Sequence, residues 1–67
     1  MIININGEKK SFNESITILE LLKELGLDNK PVVIELNQEI VIKEEYGKKL
    51  SANDNLEIVT FVGGGWC

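Results

Sequence analysis

Three consecutive glycines, Gly63-Gly64-Gly65, followed by Trp66 and Cys67, are the residues of this 67-residue chain that folding explains least. A glycine run adds nothing to a core and costs conformational entropy. Without Cβ atoms it can, however, thread extended through a narrow channel into another protein's active site. A glycine carboxylate at the end of such a segment is the least hindered acyl group a protein can present. Reaction with ATP would make it an acyl adenylate, a mixed anhydride open to displacement by a sulfur nucleophile. If that carboxylate belongs to Gly65, Trp66 and Cys67 must first be removed. Two other readings stand beside this one. The segment is a frayed tail, or Cys67 is itself the functional group and carries sulfur as a persulfide. Nothing near Cys67 in the sequence promises a lowered thiol pKa.

The rest of the chain offers little chemistry. Histidine is absent, so no Ser-His, Cys-His or His-metal constellation exists. Glu44-Glu45, Lys9-Lys10 and Lys48-Lys49 fall in or beside turns, where solvation explains them. Ser11, Ser15 and Ser51 suit turns or the approach to a helix. A single cysteine provides neither a disulfide framework nor a zinc set. Seven Lys against eleven Asp and Glu give a net charge of -4, opposite to the basic footprint that nucleic acid requires. No stretch approaches the ~20 apolar residues that span a bilayer, and no signal peptide opens the chain; the expectation is a cytoplasmic protein off the membrane. A chain of this length supports one modest core and cannot also enclose a deep substrate pocket. The expectation is therefore a non-enzyme with no catalytic residues, no metal and no bound cofactor of its own.

The elements that would position the glycine run follow from periodicity. Ile2, Ile3 and Ile5 before Asn6-Gly7 read as a strand entering a two-residue turn, with Lys9 to Phe12 returning antiparallel. Ile3, Ile5 and Phe12 should face the core. Thr17 and Glu20 have the spacing of a capping box, with Ile16 and Leu21 at the staple positions. Ile18, Leu21, Leu22 and Leu25 mark the apolar face of a helix of two to three turns that ends at Gly26. Such a helix is marginal alone and needs a sheet to cover it. Val32 to Leu36 reads as a strand with Ile34 and Leu36 inward, Asn37-Gln38-Glu39 as a turn, and Ile40 to Ile42 as a short strand. Tyr46 and Leu50 are expected as plugs at the rim of the core. After an Asn53-Asp54-Asn55 turn, Leu56 to Val62 is the longest strand candidate. Alternation buries Leu56 and Ile58 and turns Glu57, Val59 and Phe61 to the other face. There Val59 and Phe61 are either ordinary surface or docking contacts leading to the tail. The order predicts an α+β roll in which a mixed sheet of four to five strands packs on one main helix, with one domain over 1–62 and a flexible glycine-rich tail over 63–67.

The chain resembles the ThiS family, the ubiquitin-like sulfur carriers of thiamine (thiazole) biosynthesis. The resemblance runs through Ile3-Asn4-Ile5-Asn6-Gly7-Glu8, Thr17-Ile18-Leu19-Glu20-Leu21-Leu22, Val33-Ile34-Glu35-Leu36-Asn37, Glu39-Ile40-Val41 and Lys43-Glu44-Glu45-Tyr46. It closes with Asp54-Asn55-Leu56-Glu57-Ile58-Val59 and Phe61-Val62-Gly63-Gly64-Gly65. It implies a β-grasp fold and Gly65 as the residue that becomes a thiocarboxylate, with Gly63 and Gly64 as the threading segment. The partners it implies are an E1-like adenylating enzyme of the ThiF type that consumes ATP, a cysteine desulfurase system and a thiazole synthase of the ThiG type. The chain departs from the family pattern by Trp66 and Cys67, an extension that a processing protease would trim. Carriers for molybdopterin synthase or for cysteine or methionine synthesis share these features, and a non-covalent β-grasp binding module shares the fold.

Overall fold

The computed structural model describes residues 1–13 and 15–61; Glu14 and residues 62–67 lie outside the described residues. β1 (Ile2–Ile5) turns through Asn6 and Gly7 into β2 (Glu8–Ser11). Both turn residues take positive φ, 51° and 83°, the conformation an Asn-Gly pair adopts at least cost. Phe12 lies just past β2, half-buried against the core, and its N–H donates to the Met1 carbonyl at 2.8 Å.

Helix α1 (Ile18–Glu24) has seven residues, about two turns, so its ends decide whether it forms. The capping box is complete. The Thr17 N–H donates to Glu20 Oε1 at 2.8 Å, and the Glu20 N–H donates to Thr17 Oγ1 at 3.1 Å. The next two donors that a helix start leaves orphaned go to a distant loop. The Ile18 N–H reaches the Lys48 carbonyl (3.2 Å) and the Leu19 N–H reaches the Tyr46 carbonyl (2.9 Å). At the other end Gly26 (φ 74°) donates to the Lys23 carbonyl, and Leu27 donates to the Leu22 carbonyl. That is a Schellman termination. Ile18, Leu21 and Leu22 are fully buried, each worth roughly 1.5–3 kcal/mol, far more than the helix could supply by propensity. Leu25, expected on the same face, is 37% exposed because it is the C-cap, where the chain leaves the helical path before its side chain reaches the sheet.

β3 (Val32–Leu36), β4 (Glu39–Val41), a 3-10 turn (Lys43–Glu45) and β5 (Asn55–Thr60) complete the fold. The five strands form one mixed sheet in the order β2-β1-β5-β3-β4. β5 runs parallel to β1, and the other pairings are antiparallel. This sheet wrapped on a single helix is the β-grasp arrangement. β4 starts one residue earlier than expected and buries Val41, leaving Ile40 and Ile42 outside. The reason is the two-residue turn Asn37-Gln38, both at positive φ, which leaves Glu39 to open the strand. Leu50 is a full core member at 3% exposure rather than a rim plug, since its N–H bonds the Ile16 carbonyl and holds it beneath the helix start. Tyr46 does sit half-buried at the core margin. The buried residues Ile3, Ile5, Ile18, Leu21, Leu22, Ile34, Val41, Leu50, Leu56 and Ile58 form one cluster. No described polar or charged residue is buried.

The Thr17 N–H, and secondarily the Thr17 hydroxyl, hold the Glu20 carboxyl below its ordinary value of 4.5. A carboxyl depressed on folding stabilises the native state above its unfolded pKa, and that contribution fades as pH falls through the folded value. The stability difference between wild type and Glu20→Gln should therefore favour wild type most near neutrality. It should shrink as pH drops below about 4.5, as read by urea unfolding at a series of pH values.

Candidate functional site

β5 is the strand from which the chain continues toward Gly63, and it is paired on both sides. On one side it pairs with β3 over five residues, Val32↔Thr60 to Leu36↔Leu56, and the Phe61 N–H adds a bond to the Pro31 carbonyl at 3.1 Å. On the other side β1 pairs with it only through Asn4↔Asn55 and Ile5↔Leu56, because β1 turns away at Asn6. There the Asn6 side chain takes over from the backbone. The Ile58 N–H donates to Asn6 Oδ1 at 2.7 Å, and Asn6 Nδ2 donates to the Ile58 carbonyl at 3.1 Å. A carboxamide has the donor and acceptor of a peptide group, so it continues the parallel ladder where the main chain no longer can.

Asn37 plays the matching part at the start of β5. The Asn55 N–H donates to Asn37 Oδ1 at 3.0 Å, the Asn37 N–H donates to the Asn55 carbonyl at 2.8 Å, and Asn37 Nδ2 reaches Asp54 Oδ1 at 3.2 Å. Both asparagines have φ of 51°. The sequence marks each as a turn residue; which strand its side chain would clamp depends on the sheet order and is not written in the local pattern.

The face of the sheet turned away from α1 changes character along β5. Val33 stands opposite Val59, and Phe61 comes next: an exposed apolar end beside the point where the chain leaves the described fold. Val59 is 53% and Phe61 38% exposed, in agreement with the alternation. Beyond Val59 in the other direction stand Glu35 and Glu57, directly opposite each other in the strand register, a placement of like charges that works against pairing. Asn4, Asn37 and Asn55 make the far end polar. Gly63, Gly64, Gly65, Trp66 and Cys67 lie outside the described residues.

The hollows elsewhere do not assemble chemistry. One of about 470 Å³ is lined by Phe12, Asn13, Ser15, Ile16, Glu20 and Glu24. Its Glu20 carboxylate is occupied by the capping box and is shifted down, away from the pKa of a general base working near neutrality. Among the described residues no group of three or more acidic, cysteine or histidine side chains is arranged to hold a metal ion. No described helix is long and apolar enough to cross a membrane.

Comparison with known proteins gives this geometry a context. The ThiS family model matches residues 2–65, from the start of β1 to the last of the three glycines. The chain belongs to the ThiS family. It is 42% identical over 65 residues to the sulfur carrier protein ThiS of Bacillus subtilis, and the match spans 94% of this chain and 98% of that one. It is 48% identical over 62 residues to a thiazole synthase of Paramagnetospirillum magneticum, of which it spans only 19%. The crystal structure of the thiamine biosynthesis protein ThiS from Geobacter metallireducens superposes with a TM-score of 0.80 at 30% identity. That superposition covers 97% of this chain and all of that one, in keeping with the β-grasp arrangement.

Loss of the Asn6 carboxamide strands the Ile58 N–H and carbonyl inside the sheet. Asn6→Gly, which keeps the positive φ available, should destabilise by about 1–3 kcal/mol. Val59→Thr, equally branched and on the exposed face, should stay within about 0.5 kcal/mol. Urea-unfolding midpoints of the two variants check this contrast.

Proposed function

We propose that the protein is a sulfur carrier for thiazole formation in thiamine biosynthesis, and that Gly65 is the residue it loads. The observation that carries this reading is the family match itself, which ends on Gly65 and leaves Trp66 and Cys67 beyond it. The fold is consistent with that use. Its described core is apolar throughout, and its central strand is the one that precedes the glycines in the sequence.

In this reading Trp66 and Cys67 are removed by hydrolysis of the Gly65–Trp66 peptide bond, which frees the Gly65 carboxylate. That carboxylate attacks the α-phosphorus of ATP on an adenylating partner of the ThiF type, and pyrophosphate leaves. A persulfide supplied by a cysteine desulfurase system attacks the acyl carbon and expels AMP. A thiol then cleaves the resulting S–S bond and leaves a thiocarboxylate on Gly65. The partner, not this chain, supplies nucleotide binding and stabilisation of the oxyanion. Gly63 and Gly64 thread the partner's channel, where a Cβ would obstruct passage.

The thiocarboxylate sulfur then attacks an electrophilic intermediate on a thiazole synthase of the ThiG type. That a protein named thiazole synthase contains a stretch 48% identical to this chain supports such a pairing. Docking is assigned to the outer face, with Val59 and Phe61 as apolar contacts. Glu35 and Glu57 suit basic groups on the partner, which would relieve their mutual repulsion. The chain acts as a protein co-substrate rather than an enzyme, and binds no cofactor of its own.

Intact-mass analysis tests the loading. A chain ending at Gly65, incubated with the adenylating enzyme, ATP and a sulfur donor, should gain the mass of one oxygen replaced by sulfur. The full-length chain should not, and Cys67→Ser in an unprocessed chain should change nothing in the pathway once trimming has occurred. An unchanged mass for the Gly65-terminated chain overturns the proposal, as does loss of transfer on Cys67→Ser.

A further inference from the structure

The two edges of the sheet are built differently. β2 carries Glu8, Lys9 and Lys10, and self-pairing along that edge would bring lysine against lysine. β4 carries no such protection. Ile40 and Ile42, 67% and 56% exposed, are the two most exposed of the large apolar side chains among the described residues, and both sit on this edge. The edge has no proline and remains extended through Ile42 (φ -81°, ψ 159°) before the 3-10 turn begins at Lys43.

The backbone polarity of the edge is fixed by the hairpin. Leu36 and Glu39 flank the two-residue turn, so that pair and the Ile34↔Val41 pair exchange hydrogen bonds. The intervening Glu35↔Ile40 pair does not. The N–H and C=O of Ile40, and the N–H of Ile42, consequently point away from β3 to the open side. Ile42 O accepts from the Glu45 N–H at 2.8 Å and keeps a second lone pair.

We propose that this edge pairs with the β4 edge of a second copy of the chain, antiparallel and centred on Val41, to make a weak two-fold dimer with one continuous ten-stranded sheet. The segment Glu39-Ile40-Val41-Ile42-Lys43 is self-complementary. In that register Ile40 faces Ile42 of the second copy, and the two exchange the outward backbone groups just described. Glu39 faces Lys43 of the second copy at both ends, so the two-fold axis generates two opposite-charge pairs from one segment. Ile40 and Ile42 both fall on the outer face, so their apolar surfaces meet across the axis. The neighbouring registers fail. Centring on Ile40 leaves Lys43 without an acidic partner, and centring on Ile42 sets Lys43 against the buried Val41. A contact of four extended residues, with Lys43 at the first position of the 3-10 turn, falls well short of the ~1,200 Å² of stable complexes, so the dimer exchanges rapidly and forms at high concentration. The joint lies two strands away from β5, so neither chain's apolar end at Val59 and Phe61 is covered. The inference does not rest on the proposed function.

Sedimentation velocity under reducing conditions, which excludes a Cys67 disulfide, tests it from tens of micromolar to millimolar chain. Wild type should shift toward dimer with concentration. Glu39→Lys and Lys43→Glu, both exposed positions that leave the core untouched, should each remain monomeric because like charges then meet at both ends. Their equimolar mixture should dimerise as wild type does, since each supplies the charge the other lacks. Monomeric wild type throughout the range, a dimer that survives in either single variant, or a mixture no more associated than its components would each overturn the proposal.

Discussion

The last described strand stands at the centre of the sheet, and this placement governs how the other elements are arranged. β5 is hydrogen-bonded on both sides, parallel to β1 and antiparallel to β3. A parallel neighbour requires a long crossover, and the helix, the β3–β4 hairpin and the 3-10 turn together form it. β1 and β3 flank β5 directly, and β2 and β4 form the outer edges. Two asparagine side chains complete the enclosure: Asn6 near the strand's middle gives Ile58 both a donor and an acceptor, and Asn37 at the start gives the Asn55 N–H an acceptor. The residues that follow Phe61 in the sequence thus come directly after the central strand of the sheet.

This arrangement separates stability from contact. The helix-side face of the sheet holds an entirely apolar cluster, and no described ionisable group has been drawn into it. The opposite face is left to vary in polarity from Val33, Val59 and Phe61 through the opposed Glu35 and Glu57 to the asparagines. Two acids placed directly opposite each other work against folding. They stand on the same face as the exposed side chains of Val33 and Val59. A helix of only two turns is sufficient here because its first N–H groups are satisfied by the 46–50 segment and its last carbonyls by the Schellman turn.

Much of this is legible in the residues alone. Thr17 and Glu20, Gly26, the inward set Ile3, Ile5, Ile34, Leu56 and Ile58, and the outward Val59 and Phe61 all come from spacing, since each depends on local geometry. The failures share a different cause. Leu25 satisfies the helical period but falls on the cap, where the period stops. Leu50 has no periodic neighbours to declare it, and it is buried because a loop bond to Ile16 places it under the helix. Asn6 and Asn37 read as turn formers, and their second role depends on which strand lies alongside, a property of topology. The glycine segment is read from its composition and from the family resemblance; it lies outside the described residues, so its reading rests on chemistry and kinship.

The proposed chemistry centres on one atom, the carboxyl carbon of Gly65, which can be probed without the loading enzymes. A chain ending at Gly65 and bearing a chemically installed thiocarboxylate would be mixed with a thiazole synthase and its small-molecule substrates, with no ATP or adenylating enzyme present. Thiazole product should form in proportion to carrier, with none from the same chain ending in an ordinary Gly65 carboxylate. No product from the thiocarboxylate form, or equal product from a thiocarboxylate placed on Gly64 of a shortened chain, would contradict it.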